Sequence, residues 1–137
     1  MDLLEWTVVW EKEYVTIRYN PQQKLVWSEW RGVIPGMELR EAMVYNFEFI
    51  IANDVEYLIE DYSCMSAPSM DDQVWISNHT AVLLHHSKLR RVANLMAQDL
   101  FQQIGMEYHH ETTAKITVLC ESRDFVTKDE ALEWLFS

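Results

Sequence analysis

The stretch MELREAMVYNFEFIIANDVEYLIEDY, Met37 to Tyr62, changes its hydrophobic period once. In its first part Leu39, Met43, Phe47 and Ile50 recur at helical spacing, while Glu38, Arg40, Glu41, Asn46 and Glu48 sit mainly between them. This predicts an amphipathic helix over 37–53, closed by Asn53-Asp54. Val55 to Tyr62 is short and rich in β-branched and aromatic residues, which predicts a strand. A helix that runs directly into a strand is the second half of a parallel crossover unit, and the flanking sequence repeats the pattern.

Upstream, Thr7–Trp10 and Tyr14–Tyr19 read as strands. Asn20-Pro21-Gln22-Gln23 reads as a turn, and Leu25–Trp30 as the returning arm of a hairpin ended by Gly32 and Pro35-Gly36. Downstream, the pattern predicts a helix over 71–86, a strand over 89–96, a helix over 97–109 weakened at Gly105, and a strand over 115–122. A short last helix follows, with Thr127 and Glu130 at capping-box spacing and Leu132 and Leu135 on its apolar face. The expectation is one α/β domain over 1–137. Its sheet is mixed and mostly parallel, with an antiparallel N-terminal hairpin and about four helices, and residues 1–13 form an edge strand or extension.

A chain of 137 residues suits one core, and 49% apolar with 24% charged residues is ordinary for a globular domain. The net charge of −11 repels phosphate backbones and disfavours nucleic acid as a partner. Two cysteines, Cys64 and Cys120, do not make a disulfide framework. No run is long and apolar enough to span a bilayer, and Met1–Glu13 lacks the pattern of a signal peptide. A cytoplasmic location without membrane attachment is therefore expected.

The segment between the strand at 55–62 and the next helix, SCMSAPSMDDQVW, draws attention because a helix N-terminus offers free N–H groups at the end of a strand. Ser63 and Ser66 are candidate phosphoacceptors. Ser69 and Asp72 have capping spacing, and the cap is the favoured reading of Ser69. Cys64, Met65, Met70 and Trp75 are candidates for an interaction loop. No glycines cradle a phosphate, so the segment is not a P-loop.

The histidines, His79, His85, His86, His109 and His110, lack metal-ligand spacing, and no metal or cofactor is expected. No nucleophile or acid–base constellation assembles at readable spacing, so an enzyme is the least favoured class. Trp6 and Trp10, an even number apart, are expected on one face of the first strand, which makes that strand a candidate for homodimer pairing.

YVTIRYNPQQKLVWSEWRG, the helix after it, YLIEDYS, RRVANLMAQDLFQQ and DEALEWL together resemble the small stand-alone bacterial STAS-like proteins, named for sulfate transporters and anti-sigma factor antagonists. The resemblance spans about Tyr14 to Leu135 and implies the sporulation antagonist-like fold. In signalling members a serine after a central strand is phosphorylated by a partner kinase, and the unphosphorylated form binds that kinase and releases a sigma factor. The region that corresponds here is Ser63–Ser69. The family's Asp-Ser-Ser/Thr-Gly phrase does not occur in it. The resemblance implies a non-enzymatic cytosolic regulatory or protein-interaction domain with a degenerate phosphoswitch loop and a partner of kinase or anti-sigma factor type. The alternative is a module that binds a small apolar or anionic ligand at the carboxyl ends of the strands.

Overall fold

The structure, a computed structural model, describes residues 4–97 and 120–137. Six strands form one sheet whose spatial order follows the sequence: β1 (Thr7–Lys12), β2 (Val15–Asn20), β3 (Leu25–Gly32), β4 (Tyr57–Met65), β5 (Arg91–Leu95) and β6 (Glu121–Phe125). The first three pair antiparallel, and β3 through β6 pair parallel. The described helices are α1 (Gly36–Ala52), α2 (Met70–Leu84) and α3 (Lys128–Leu135). The helix predicted over 97–109 lies, apart from Ala97, outside the described residues, as does most of the strand predicted over 115–122. Among the described residues the last strand begins at Glu121.

Parallel strands inside a sheet are covered on both faces, and the two apolar clusters show it here. One lies between the sheet and α1 and α2, with Val15, Ile17, Val26, Trp30, Leu58 and Tyr62 from the strands and Leu39, Met43, Phe47 and Ile50 from α1. The other joins Leu25, Ile59, Ala93 and Leu95 to Ala131, Trp134 and Leu135 of α3 on the opposite face. Arg91 of β5 fastens α3 by donating from Nη1 to the Trp134 carbonyl at 2.6 Å. A cation at the carboxyl end of a helix also meets its negative pole. Leu135 is 1% exposed. Leu135→Ala is expected to cost about 2 kcal/mol, the low end for a buried leucine because a short helix collapses readily around the gap. The shift of the urea midpoint measures it, and an unchanged midpoint contradicts the docking.

Trp6 and Trp10 do not share a face. Val8 pairs with Arg18 and Trp10 with Ile17, so Val9 is an extra residue, and this bulge reverses the alternation. Trp10 packs on Tyr45 of α1 with its ring tilted, centroids 4.4 Å apart, whereas Trp6 meets Trp27 at 5.5 Å on the α3 side. Both rings are spent inside the chain.

A second irregularity positions the site. Glu29 pairs with Asp61 but Arg31 with Cys64, so β4 carries an extra residue near Tyr62-Ser63 and runs on to Met65, three residues beyond the predicted end.

Candidate functional site

The carboxyl ends of β3 and β4 lead into α1 and α2 through two connections that are stitched together. Gly32 ends β3 at φ +72°, a conformation that favours glycine, and its carbonyl accepts the Ser66 N–H at 3.0 Å. A Cβ on Gly36 would lie 3.0 Å from an Asp72 carboxylate oxygen, so glycine permits the approach of the two helix starts. Arg40 of α1 closes the pair: its Nη2 and Nε lie 2.9 and 3.0 Å from Asp72 Oδ1. The Arg40 guanidinium also lies 5.2 Å from the Trp75 ring centroid, and Trp75 stacks on His79 at 4.7 Å. Burial depresses the pKa of His79, with Glu48 opposing the shift.

The candidate residues fall into different settings. Ser69 is the N-cap of α2 and accepts from the Asp72 N–H at 3.2 Å, while the Asp72 carboxylate turns to Arg40 instead of back to Ser69. Ser69→Ala is expected to cost about 1 kcal/mol. A chemical melt reads the loss, and Ser69→Asp should restore most of it. Ser63 lies within β4, half-buried, and its hydroxyl donates to Asp61 Oδ1 at 2.5 Å. Ser66 is exposed, and its hydroxyl makes no hydrogen bond to a described residue. Cys64 is exposed. Met65 is 4% exposed and belongs to the core, so it is no part of an interaction surface: the longer β4 turns it inward. Met70 is 59% exposed. Trp75 is half-buried between Arg40 and His79.

Beneath this end the core carries a polar row that the sequence reading missed. Ser28, Glu60, Asn94 and Asp124 are successive register partners across β3, β4, β5 and β6. Residues in register on neighbouring strands point to the same face. Asn46 of α1 reaches into the row. It accepts from Ser28 Oγ at 2.7 Å and donates from Nδ2 to Glu60 Oε1 at 3.1 Å. The Tyr62 hydroxyl donates to Glu60 Oε2 at 3.0 Å. The Trp30 indole N–H also faces this carboxyl without forming a hydrogen bond of ordinary geometry. Burial pushes the Glu60 pKa up to about 7 against the opposing pull of the Tyr62 and Asn46 bonds. Tyr62 is pushed well up by burial and by the Glu60 charge. Farther along, Asn94 Nδ2 donates to Ser122 Oγ at 3.0 Å and to Asp124 Oδ1 at 3.2 Å. The signal in the sequence was Asn46, a polar residue three positions from Met43 and four from Ile50 on the apolar stripe of α1.

Asp61, on the other face of β4, accepts from Trp27 Nε1 at 3.2 Å and from the Ser63 N–H at 3.0 Å. The adjacent acids Glu60 and Asp61 are thus both buried and both satisfied by the chain's own donors.

The chain is similar to the crystal structure of an uncharacterized protein of the DUF3478 family, with a SpoIIAA-like fold, from Shewanella loihica PV-4. The match covers 96% of this chain and 92% of that one, with a TM-score of 0.57 and 17% sequence identity. This chain has the SpoIIAA-like fold. No family model matches the sequence, and no curated protein matches it. The SpoIIAA-like fold agrees with the STAS-like architecture expected from the sequence, and at 17% identity it is the fold alone that the likeness carries.

Among the described residues of this SpoIIAA-like sheet the strand order never reverses. A doubly wound sheet opens its ligand crevice at such a reversal, so the topology provides none at the carboxyl ends. A cavity of about 540 Å3 opens instead at the amino ends of β4, β5 and β6, lined by Tyr57, Arg90, Arg91, Glu121 and Phe136 among others. Its charges are internally matched: Arg90 lies 3.5 Å from Glu56, and Arg91 3.5 Å from Glu121. Among the described residues no three His, Cys, Asp or Glu side chains converge as a metal site would require, and no helix is long and apolar enough to cross a membrane. Cys120 is half-buried, and its thiol is pushed up to about 11 by burial and then by Glu121. His109 and His110 lie outside the described residues.

Proposed function

We propose that this protein is a non-enzymatic regulatory, protein-interaction domain of STAS-like type, and that its partner face is the end of the sheet where the β3–α1 and β4–α2 connections meet. The observation that carries this reading is the exposure there of Val33 (84%), Met37 (85%) and Met70 (59%), on segments held in place by the Gly32–Ser66 and Arg40–Asp72 links. Exposed apolar side chains on segments fixed to one another are what an interaction surface at this end would present. The reading against catalysis is supported by Glu60: it is 4% exposed, and both its oxygens are occupied by Asn46 and Tyr62. A general acid or base must reach its substrate.

In this reading Ser66 is the better phosphoacceptor. Its hydroxyl makes no hydrogen bond to a described residue, whereas the Ser63 hydroxyl is held against the Asp61 carboxylate, which opposes an added phosphate. Pairing of two copies along the outer edge of β1 is the remaining part of the reading. It rests on the strand's main chain, since Trp6 and Trp10 pack inside. Sedimentation at micromolar concentration checks it, and a monomer removes it.

The test is co-purification from the native host. The wild-type protein is expected to bring down a stoichiometric protein partner, and Met37→Glu with Met70→Glu is expected to lose it without a change in melting temperature. Retention of the partner by the double variant refutes the assigned face. Mass spectrometry of the loop peptide from the same material reads Ser66. A well-covered peptide that is never modified, even with neighbouring kinases expressed, removes the switch.

A further inference from the structure

We infer that this face takes a basic amphipathic helix of a partner protein, with Val33, Met37 and Met70 meeting its apolar stripe and Glu38, Glu41 and Asp71 meeting the lysines or arginines that flank it. The inference rests on the interaction reading above and adds the chemistry of the partner.

Glu38 and Glu41 are exposed on the first turns of α1, and Asp71 is exposed on the first turn of α2. None of the three forms an ion pair with a described residue. Two nearby cations are already committed, Arg40 to Asp72 and Arg31 to Glu29. Glu38 and Glu41 are three residues apart in α1 and so share one side of the helix. This end of the sheet therefore combines exposed apolar side chains with exposed carboxylates that lack an ion pair among the described residues.

Charge selects among occupants. A second copy that presented this same face would set Glu38, Glu41 and Asp71 against like carboxylates, which opposes pairing here. An anionic lipid surface is repelled for the same reason. A helix with an apolar stripe and basic flanks gains on both counts, and its association should weaken with salt.

A synthetic Leu/Lys amphipathic helix is the probe, with a Leu/Glu counterpart and anionic vesicles as the other arms. Calorimetry gives the affinity, and hydrogen–deuterium exchange gives the place. The Leu/Lys peptide is expected to bind, to slow exchange in residues 32–41 and 66–75, and to bind about tenfold or more weakly to the triple variant Val33→Ser, Met37→Ser, Met70→Ser. Those side chains are exposed, so the variant should keep its melting temperature. Equal binding to wild type and triple variant, protection elsewhere in the chain, no binding, or preference for the Leu/Glu peptide or the vesicles overturns the inference. A native partner that contacts residues 32–41 and 66–75 through an acidic or neutral surface also overturns it, and leaves the interaction reading intact. Absence of any native partner overturns both.

Discussion

Glu60→Gln is expected to stabilise the protein by about 3 kcal/mol at pH 8 and to change nothing near pH 4. In the unfolded chain a glutamate releases its proton near its ordinary value of 4.5, whereas in the fold Glu60 holds it to about 7. Between those values the native state binds more protons than the unfolded state, so stability falls as pH rises, and the loss is complete above about pH 7. Each unit of pKa difference corresponds to about 1.4 kcal/mol. Glutamine reproduces the protonated carboxyl: its oxygen accepts from Asn46, and its amide faces the rotatable Tyr62 hydroxyl. The difference between variant and wild type cancels the slopes of other titrating groups, His79 among them. Urea melts from pH 4 to pH 8 provide the curve. A constant difference across that range shows that Glu60 releases its proton at the same pH folded and unfolded, and contradicts the raised value.

Asn46→Ala acts on the same network from the helix side and is expected to cost on the order of 2–6 kcal/mol. Asn46 is fully buried and joins Ser28 to Glu60. Its removal strands a buried hydroxyl and a buried carboxyl, each worth about 1–3 kcal/mol when left unsatisfied. The Asn46 bond lowers the Glu60 pKa, so the variant should also move the Glu60 titration upward. The cost should be greater at pH 8 than at pH 4, because only the ionised carboxylate depends strongly on its donors. In a double-mutant cycle Glu60→Gln should remove most of that pH dependence. A small loss, equal at both pH values, means that water replaces the amide.

The alternation of helix and strand from Met37 to Tyr62 carried the fold class, because each element shows its own period over a sufficient length. The capping of α2 and α3 was legible for a similar reason. Ser69 and Thr127 accept from N–H groups only three residues away, so local sequence contains the whole interaction. What failed depended on partners distant in sequence. The parity of Trp6 and Trp10 turned on one bulged residue, Val9, which is set by the pairing with β2. The continuation of β4 through Ser63 to Met65 depends on Arg31 and Gly32 of the neighbouring strand. Glu60 and Asp61 side by side look like the polar end of a strand, yet a central parallel strand is covered on both faces. Each acid finds one of its donors on another element, Asn46 for Glu60 and Trp27 for Asp61. The apolar face was half legible. Met70 lay in the segment singled out from the sequence, whereas Val33 and Met37 became its neighbours only through the Gly32–Ser66 and Arg40–Asp72 links.

The most direct test of the interaction account is hydrogen–deuterium exchange on the protein in complex with the partner captured from its native host. The account predicts slowed exchange in residues 32–41 and 66–75 and unchanged exchange around Tyr57, Arg90 and Glu121 at the opposite end of the sheet. Protection confined to that opposite end, or the absence of any partner, would contradict it.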